Sequence, residues 1–233
     1  MSTSDLTNGR VRSNATVARV TLRPIGSPLP LGAFTLIPSG LLVAGLQLSW
    51  FPASDGKSVG YLLLAFAFPL QLLASVFAFL GRDSLVGTGF GLFAGTWLGF
   101  GLSLLTSPPG STSPVSGVFF LGIAAVFVML VGGGVAGGKA AAGAIILAGS
   151  VRFLLSGLYE LTGSTGVEHA SGIVGLIFVV IAGYVGVATL LEDNARRSIL
   201  PIGRRGAAHA ALADGLEAQL DDLEHEAGVR EQL

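Results

Sequence analysis

The sequence of 233 residues contains no cysteine, only 3 histidines and few charged residues, which make up 12% of the chain. The absence of cysteine excludes disulfide bonds, thiolate metal sites and cysteine nucleophiles. The histidines are scattered and no catalytic constellation is recognisable, so we expect no metal site, no cofactor and no enzyme activity. Soluble domains have about 25% charged residues. The low charge therefore excludes a protein surface that faces only water.

Hydrophobic residues make up 51% of the chain and are concentrated in six stretches. Each stretch has about 20 residues, the length that an α-helix needs to cross a bilayer. The sequence therefore predicts an all-α polytopic membrane protein with six transmembrane helices, at residues 31–51, 59–80, 86–106, 118–137, 140–161 and 170–191. Three spans per half would allow two inverted three-helix halves, as in many transporters, although no internal repeat is evident.

Arginine and lysine are concentrated before the first span, after the last span and in two of the turns on the same side. This distribution predicts that both termini are cytoplasmic and that the protein lies in the plasma or inner membrane. We divide the chain into a disordered basic cytoplasmic leader (1–26), a membrane domain (27–203) and a cytoplasmic, amphipathic, acidic tail helix (204–233). The expected partners are membrane lipid and further copies of the chain, and no nucleic acid.

Glycine is abundant, with 35 residues, and recurs at helical spacing in the third span. Gly91, Gly95 and Gly99 form two successive GxxxG steps, which favour close helix packing. The alternative interpretation of this row is a glycine-lined pore wall.

Several stretches, in this order along the chain, resemble the acetate uptake transporter family of YaaH-like acetate and succinate permeases. SPLPLGA at 27–33 is similar to the family signature Asn-Pro-Ala-Pro-Leu-Gly-Leu. The other matching stretches are QLLA at 71–74, Thr88 and Phe90 followed by Trp97, EHASGIVGL at 168–176, and ILPIG at 199–203. The resemblance covers about residues 27 to 203.

This resemblance implies a six-helix protomer, usually assembled as a hexamer, with one pathway for small carboxylates in each protomer. It implies either a proton-coupled carrier or a channel. The family's constriction consists of an aromatic residue in helix one, an aromatic residue in helix three and a leucine in helix five. These positions correspond to Leu36, to Phe93 and to the neighbourhood of Gly149. Because two of them differ in residue type, the substrate range could differ from acetate.

The opening motif also has a physical interpretation. Pro28 and Pro30 predict an extended segment, after which Leu31 and Gly32 start the first helix. The N–H groups of that first turn would lack helical partners and could bind an anion at the mouth of a pathway. The alternative is a simple turn at the start of a helix.

Polar residues inside membrane spans are costly and should face protein or water. Gln47, Gln71, Arg152 and Tyr159 are therefore candidate substrate-pathway residues, with Arg152 attracting the carboxylate. In the alternative, Arg152 is an internal counter-ion, paired with Glu160 or with a neighbouring subunit. Proton coupling needs a group that changes charge, and the candidates are Glu160, Glu168 and His169. Simple placement at the membrane surface is the alternative for Glu168 and His169.

The sequence leaves three functions open. The first is a transporter or channel for small monocarboxylates such as acetate, extending to succinate, with proton coupling. The second is a channel for small neutral solutes such as urea or ammonia. The third is a membrane scaffold that transports nothing.

Overall fold

The structure, a computed structural model, describes residues 26–195 and 197–205. Apart from Gly26, Arg204 and Arg205, the predicted leader and the predicted acidic tail lie outside the described residues. The described chain consists of helices joined by short turns: α1 (Leu29–Gln47), α2 (Gly56–Leu62), α3 (Phe68–Leu80), α4 (Ser84–Thr106), α5 (Pro114–Ala136), α6 (Ala140–Thr162) and α7 (Thr165–Ala195). This architecture confirms the predicted all-α fold.

Six membrane-length apolar spans are present within the described residues, as predicted. The second span consists of α2 and α3, which are joined by a wide π-helical turn at Leu63–Ala67. This turn ends two residues before Pro69, which has no N–H to donate and whose ring clashes with an ordinary preceding turn. The π turn thus accommodates the proline within a membrane span.

Most span boundaries differ from the predicted ones by one to six residues, and the first and last spans show why. The predicted extended segment before α1 is wrong, because Pro28 already has helical dihedral angles (φ −76°, ψ −13°) and its carbonyl accepts the Gly32 N–H at 3.0 Å. Pro30 fits this first turn because a helix needs no N–H there. α7 exceeds the predicted 170–191 at both ends, since charged residues are tolerated near the membrane surface but end an apolar window.

The turns assemble at two ends of the helix bundle. We call one the terminal end, because it holds the start of α1, the end of α7 and the turns at 81–83 and 137–139. The other, the distal end, holds the turns at 48–55, 107–113 and 163–164. At the terminal end, Asp83 caps α4 by accepting the Val86 N–H at 3.1 Å, and it pairs with Lys139 Nζ at 2.7 Å. Asp83 thereby connects two turns.

Residues 199–205 form a strap across the terminal end. Ile202 is buried, and the Arg205 N–H donates to the Gly138 carbonyl at 3.0 Å. Arg204 pairs with the buried carboxylate of Glu192 on α7. The strap therefore fastens the α5–α6 turn to the end of α7.

The helices pack in neighbouring pairs, α1 with α7, α3 with α4, α5 with α6, and α6 with α7. The predicted glycine row does not mediate close packing throughout, since a Cβ on Gly95 would meet nothing within 4 Å. A different glycine pair brings α2 against α4, because a Cβ on Gly60 would lie 2.8 Å from the Gly101 carbonyl oxygen. The Gly91–Gly99 row is therefore mainly an outer surface of the single chain.

Candidate functional site

A cavity of about 110 Å³ enters the bundle from the distal end. One water needs on the order of 10–15 Å³ of such volume, so the cavity has room for several waters or a small organic acid. Its most buried lining residues include Val43, Thr96 and Arg152, which lie on three different helices. Its wall also includes polar and aromatic side chains, namely Gln47, Lys57, Trp97, Phe153, Ser156, Tyr159, Glu160 and Glu168.

Arg152 is the buried cation of this cavity, with only 2% of its surface exposed. Its Nη2 donates to the Gly40 carbonyl at 3.4 Å, and its Cζ lies 5.8 Å from the centre of the Phe178 ring. Its Nη1 has no hydrogen-bond partner, and within the described residues Arg152 forms no ion pair. The predicted alternative in which Glu160 neutralises Arg152 is therefore wrong for this chain. A buried guanidinium without a counter-ion is a strong electrostatic attraction for an anion.

Gln47 holds the wall next to Arg152 through a network of hydroxyl groups. Its Nε2 donates to Ser156 Oγ at 3.2 Å and to Ser171 Oγ at 3.1 Å. The two hydroxyls lie 2.9 Å apart, and Ser171 donates to the Arg152 carbonyl at 3.3 Å. Each hydroxyl has one proton to donate. Because Ser171 donates its proton to the Arg152 carbonyl, the bond between the two hydroxyls runs from Ser156 to Ser171. Both hydroxyl oxygens also accept a hydrogen bond from Gln47 Nε2. The network thus joins α1, α6 and α7 around the arginine.

Tyr159, Glu160 and Glu168 surround the cavity nearer the surface, and all three are half-buried. Glu160 Oε2 accepts the Ser113 N–H at 2.7 Å, which fixes this carboxylate beside the α4–α5 turn. His169, the third proton-coupling candidate, is exposed and lies outside the cavity wall. Two of the three predicted titratable groups are thus close to the cavity.

Packed aromatic rings fill the bundle between the cavity and the terminal end. Phe93 is 1% exposed and its ring centre lies 4.8 Å from that of Phe127, 5.5 Å from Phe178 and 5.9 Å from Phe153. We call these four rings the aromatic plug. Leu36, the other constriction residue that the resemblance implies, is completely buried in the same core.

Gly149, near which the resemblance implies a leucine, faces this plug. A Cβ on Gly149 would lie 3.0 Å from Phe93 Cζ and 3.1 Å from Phe127 Cε2. The Phe127 ring, which comes from α5, therefore occupies space beside Gly149. Sequence reasoning missed Phe127 because it lies in an almost uniformly apolar span, where no residue stands out.

The opening motif forms a second group of predicted residues, at the terminal end. Gln71 is completely buried, and its Nε2 donates to the Gly32 carbonyl at 2.7 Å. The Gly32 N–H already donates to the Pro28 carbonyl, so it is not free to bind an anion as predicted. Leu31 is partly exposed. The motif and the cavity lie at opposite ends of the bundle, with the aromatic plug between them.

Gly32 allows the first turn of α1 to contact α4. A Cβ at this position would lie only 2.1 Å from Phe90 Cζ. We expect Gly32→Ala to destabilise the protein by about 1–3 kcal/mol through overpacking, and Phe90→Leu to restore part of the loss. Thermal unfolding in detergent measures both effects. Gly95→Ala is the matched control because a Cβ there is in open space, and an equal loss in that variant would contradict the packing argument.

Comparison with known proteins supports this architecture. No family model matches the chain. The succinate-acetate/proton symporters SatP of Escherichia coli K12, Escherichia coli O157:H7 and Shigella flexneri are each 27% identical to it over 187 residues, which is 77% of this chain and 96% of each relative. A solved structure of the bacterial acetate channel SatP matches its fold with a TM-score of 0.68 at 22% identity, covering 77% of this chain and 100% of that one. Sequence and fold together confirm the resemblance of this integral membrane protein to the acetate uptake transporter family.

Proposed function

We propose that this protein moves small monocarboxylates, acetate above all, across the cell membrane along a pathway inside each subunit. The observation that carries the proposal is the buried guanidinium of Arg152, which borders the cavity and forms no ion pair within residues 26–195 and 197–205. Ionisable groups at membrane depth usually serve a substrate or an ion, because they are costly to keep there. The names of the related symporters and of the structurally similar channel support acetate as the substrate.

The proposed pathway runs from the distal end to the terminal end through three regions: the cavity, the aromatic plug and the opening motif. A carboxylate enters the cavity at the distal end, pairs with Arg152, passes the aromatic plug and leaves beside Gln71 and Gly32 at the terminal end. Pro28, Pro30 and Leu31 build the turn that presents this exit. Because the plug rings are packed against one another, passage requires a rotation of Phe93 and its neighbours.

A proton travels with the carboxylate in this proposal. Glu160 and Glu168 border the cavity and are the side chains that take up the proton there. The distribution of arginine and lysine supports a cytoplasmic terminal end in the plasma or inner membrane. The resemblance supports a hexamer, in which every subunit keeps its own pathway.

The flux of labelled acetate and labelled urea into proteoliposomes tests the proposal. We expect acetate uptake above that of empty liposomes, stimulated by an inward proton gradient, and urea uptake no faster than in empty liposomes. Urea flux without acetate flux would replace the proposal with a channel for neutral solutes. Absence of both fluxes in well-folded protein would instead favour a scaffold.

A further inference from the structure

The charged side chains that border the cavity differ in depth. Arg152 lies at the deep end, whereas Glu160 and Glu168 lie nearer the distal surface. Glu160 follows Arg152 by two helical turns on α6, which is about 12 Å along the helix axis. The other cation of the wall, Lys57, is exposed. The buried part of the cavity thus carries one positive charge, and its outer part carries two half-buried carboxylates and one exposed lysine, a net negative charge.

The deep end is equipped to neutralise one negative charge. Arg152 Nη1 and Trp97 Nε1 are both buried donors that find no partner in the described part of the chain, and both residues border the cavity. The guanidinium is surrounded by uncharged groups, since it approaches the Gly40 carbonyl, the backbone of Gly175 and the Phe178 ring. One carboxylate on Arg152 would therefore balance the charge of this region, with indole and guanidinium as hydrogen-bond donors.

A second carboxylate on the same ligand would find no second buried cation, because the remaining cation of the wall, Lys57, is exposed. An extended dicarboxylate that pairs with Arg152 projects its far end along the cavity toward Glu160 and Glu168. An uncompensated charge is costly to desolvate, and like charges repel each other strongly where little water separates them. The cavity therefore disfavours a dicarboxylate because of its second negative charge, whatever the length of the ligand.

We infer that this cavity is a binding site for monoanionic carboxylates and that it excludes dianions of the same size. The inference rests on the proposed function and specifies its substrate class. The related symporters are named for succinate as well as acetate, so the charge pattern of this chain makes its site narrower than those names imply.

Succinate and monomethyl succinate test the inference, because they share a carbon skeleton and differ by one charge at pH 8. Binding is measured on the detergent-solubilised protein by ligand-induced thermal stabilisation, with acetate as a reference. We expect monomethyl succinate to bind at least about tenfold more tightly than succinate, because the second charge of succinate is poorly compensated and is repelled by the two carboxylates. The double variant Glu160→Gln/Glu168→Gln should bring the two affinities together. Asp55→Asn is the matched control, since it removes an exposed charge at the same end but outside the cavity wall.

Equal binding of the two ligands to the unchanged protein would overturn the inference, even if acetate is transported. Tight binding of the monoanion without acetate flux would overturn the proposed function and leave the site assignment standing. If the double variant does not fold, the comparison of the two ligands on the unchanged protein decides the matter by itself.

Discussion

Replacement of Arg152 by methionine is expected to weaken acetate binding strongly while making the substrate-free protein more stable. The guanidinium is buried and Nη1 lacks a partner, so its desolvation costs several kcal/mol, whereas its contact with the Phe178 ring returns about 2 kcal/mol. Methionine fills similar space without the charge. A charged hydrogen bond contributes about 1.5–3 kcal/mol, so its loss should raise the apparent KM for acetate about 10- to 150-fold.

Uptake kinetics in proteoliposomes and thermal unfolding without substrate measure these opposite effects. Arg204→Met is the matched control, because Arg204 is paired with the buried Glu192 carboxylate outside the proposed pathway. That variant should lose stability, since it strands a buried carboxylate, and should keep its apparent KM. If Arg152→Met instead loses stability and retains its KM, the arginine is structural and the site assignment fails.

The second large effect is expected where Phe127 and Gly149 share space in the aromatic plug. Phe127→Ala should cost about 3–5 kcal/mol of stability and raise acetate uptake, because it removes a completely buried ring from the plug. Gly149→Leu should cost about 1–3 kcal/mol, since its side chain has to enter the space held by Phe93 and Phe127. In the double variant the leucine can occupy the volume that the ring has left.

A double-mutant cycle measures this compensation. The double variant should be more stable than the sum of the single losses predicts, by about 1–3 kcal/mol, and its uptake should return toward that of the unchanged protein. Additive losses would mean that the two positions do not share a volume. The same cycle with Phe120 in place of Phe127 is the control, because Phe120 packs on Phe100 and Phe153, whereas the atoms nearest to a Cβ on Gly149 belong to Phe93 and Phe127.

The six spans could be predicted from the sequence because length and hydrophobicity determine which segments fit a bilayer. Their ends could not be predicted as well. Glu168 and Glu192 belong to α7, although their charges lie outside the predicted apolar window. The helical start at Pro28 was missed because proline is compatible both with extended backbone and with the first turn of a helix.

From the sequence, only those residues of the candidate site that are costly to place in lipid could be predicted. Arg152, Gln47 and Glu160 stand out for that reason, and all three border one cavity. The partners that shape the site did not stand out. Ser171 and Phe127 are ordinary residues of membrane helices, and their importance depends on which helices become neighbours in three dimensions.

The strap has a practical consequence for protein engineering. Its residue Ile202 is buried, and its last residues, Arg204 and Arg205, bind to α7 and to the α5–α6 turn. If the chain is cut directly after α7 and a reporter or purification tag is fused there, the strap is lost, and with it part of the tertiary structure. Truncations and fusions that are meant to preserve this protein should therefore begin after Arg205.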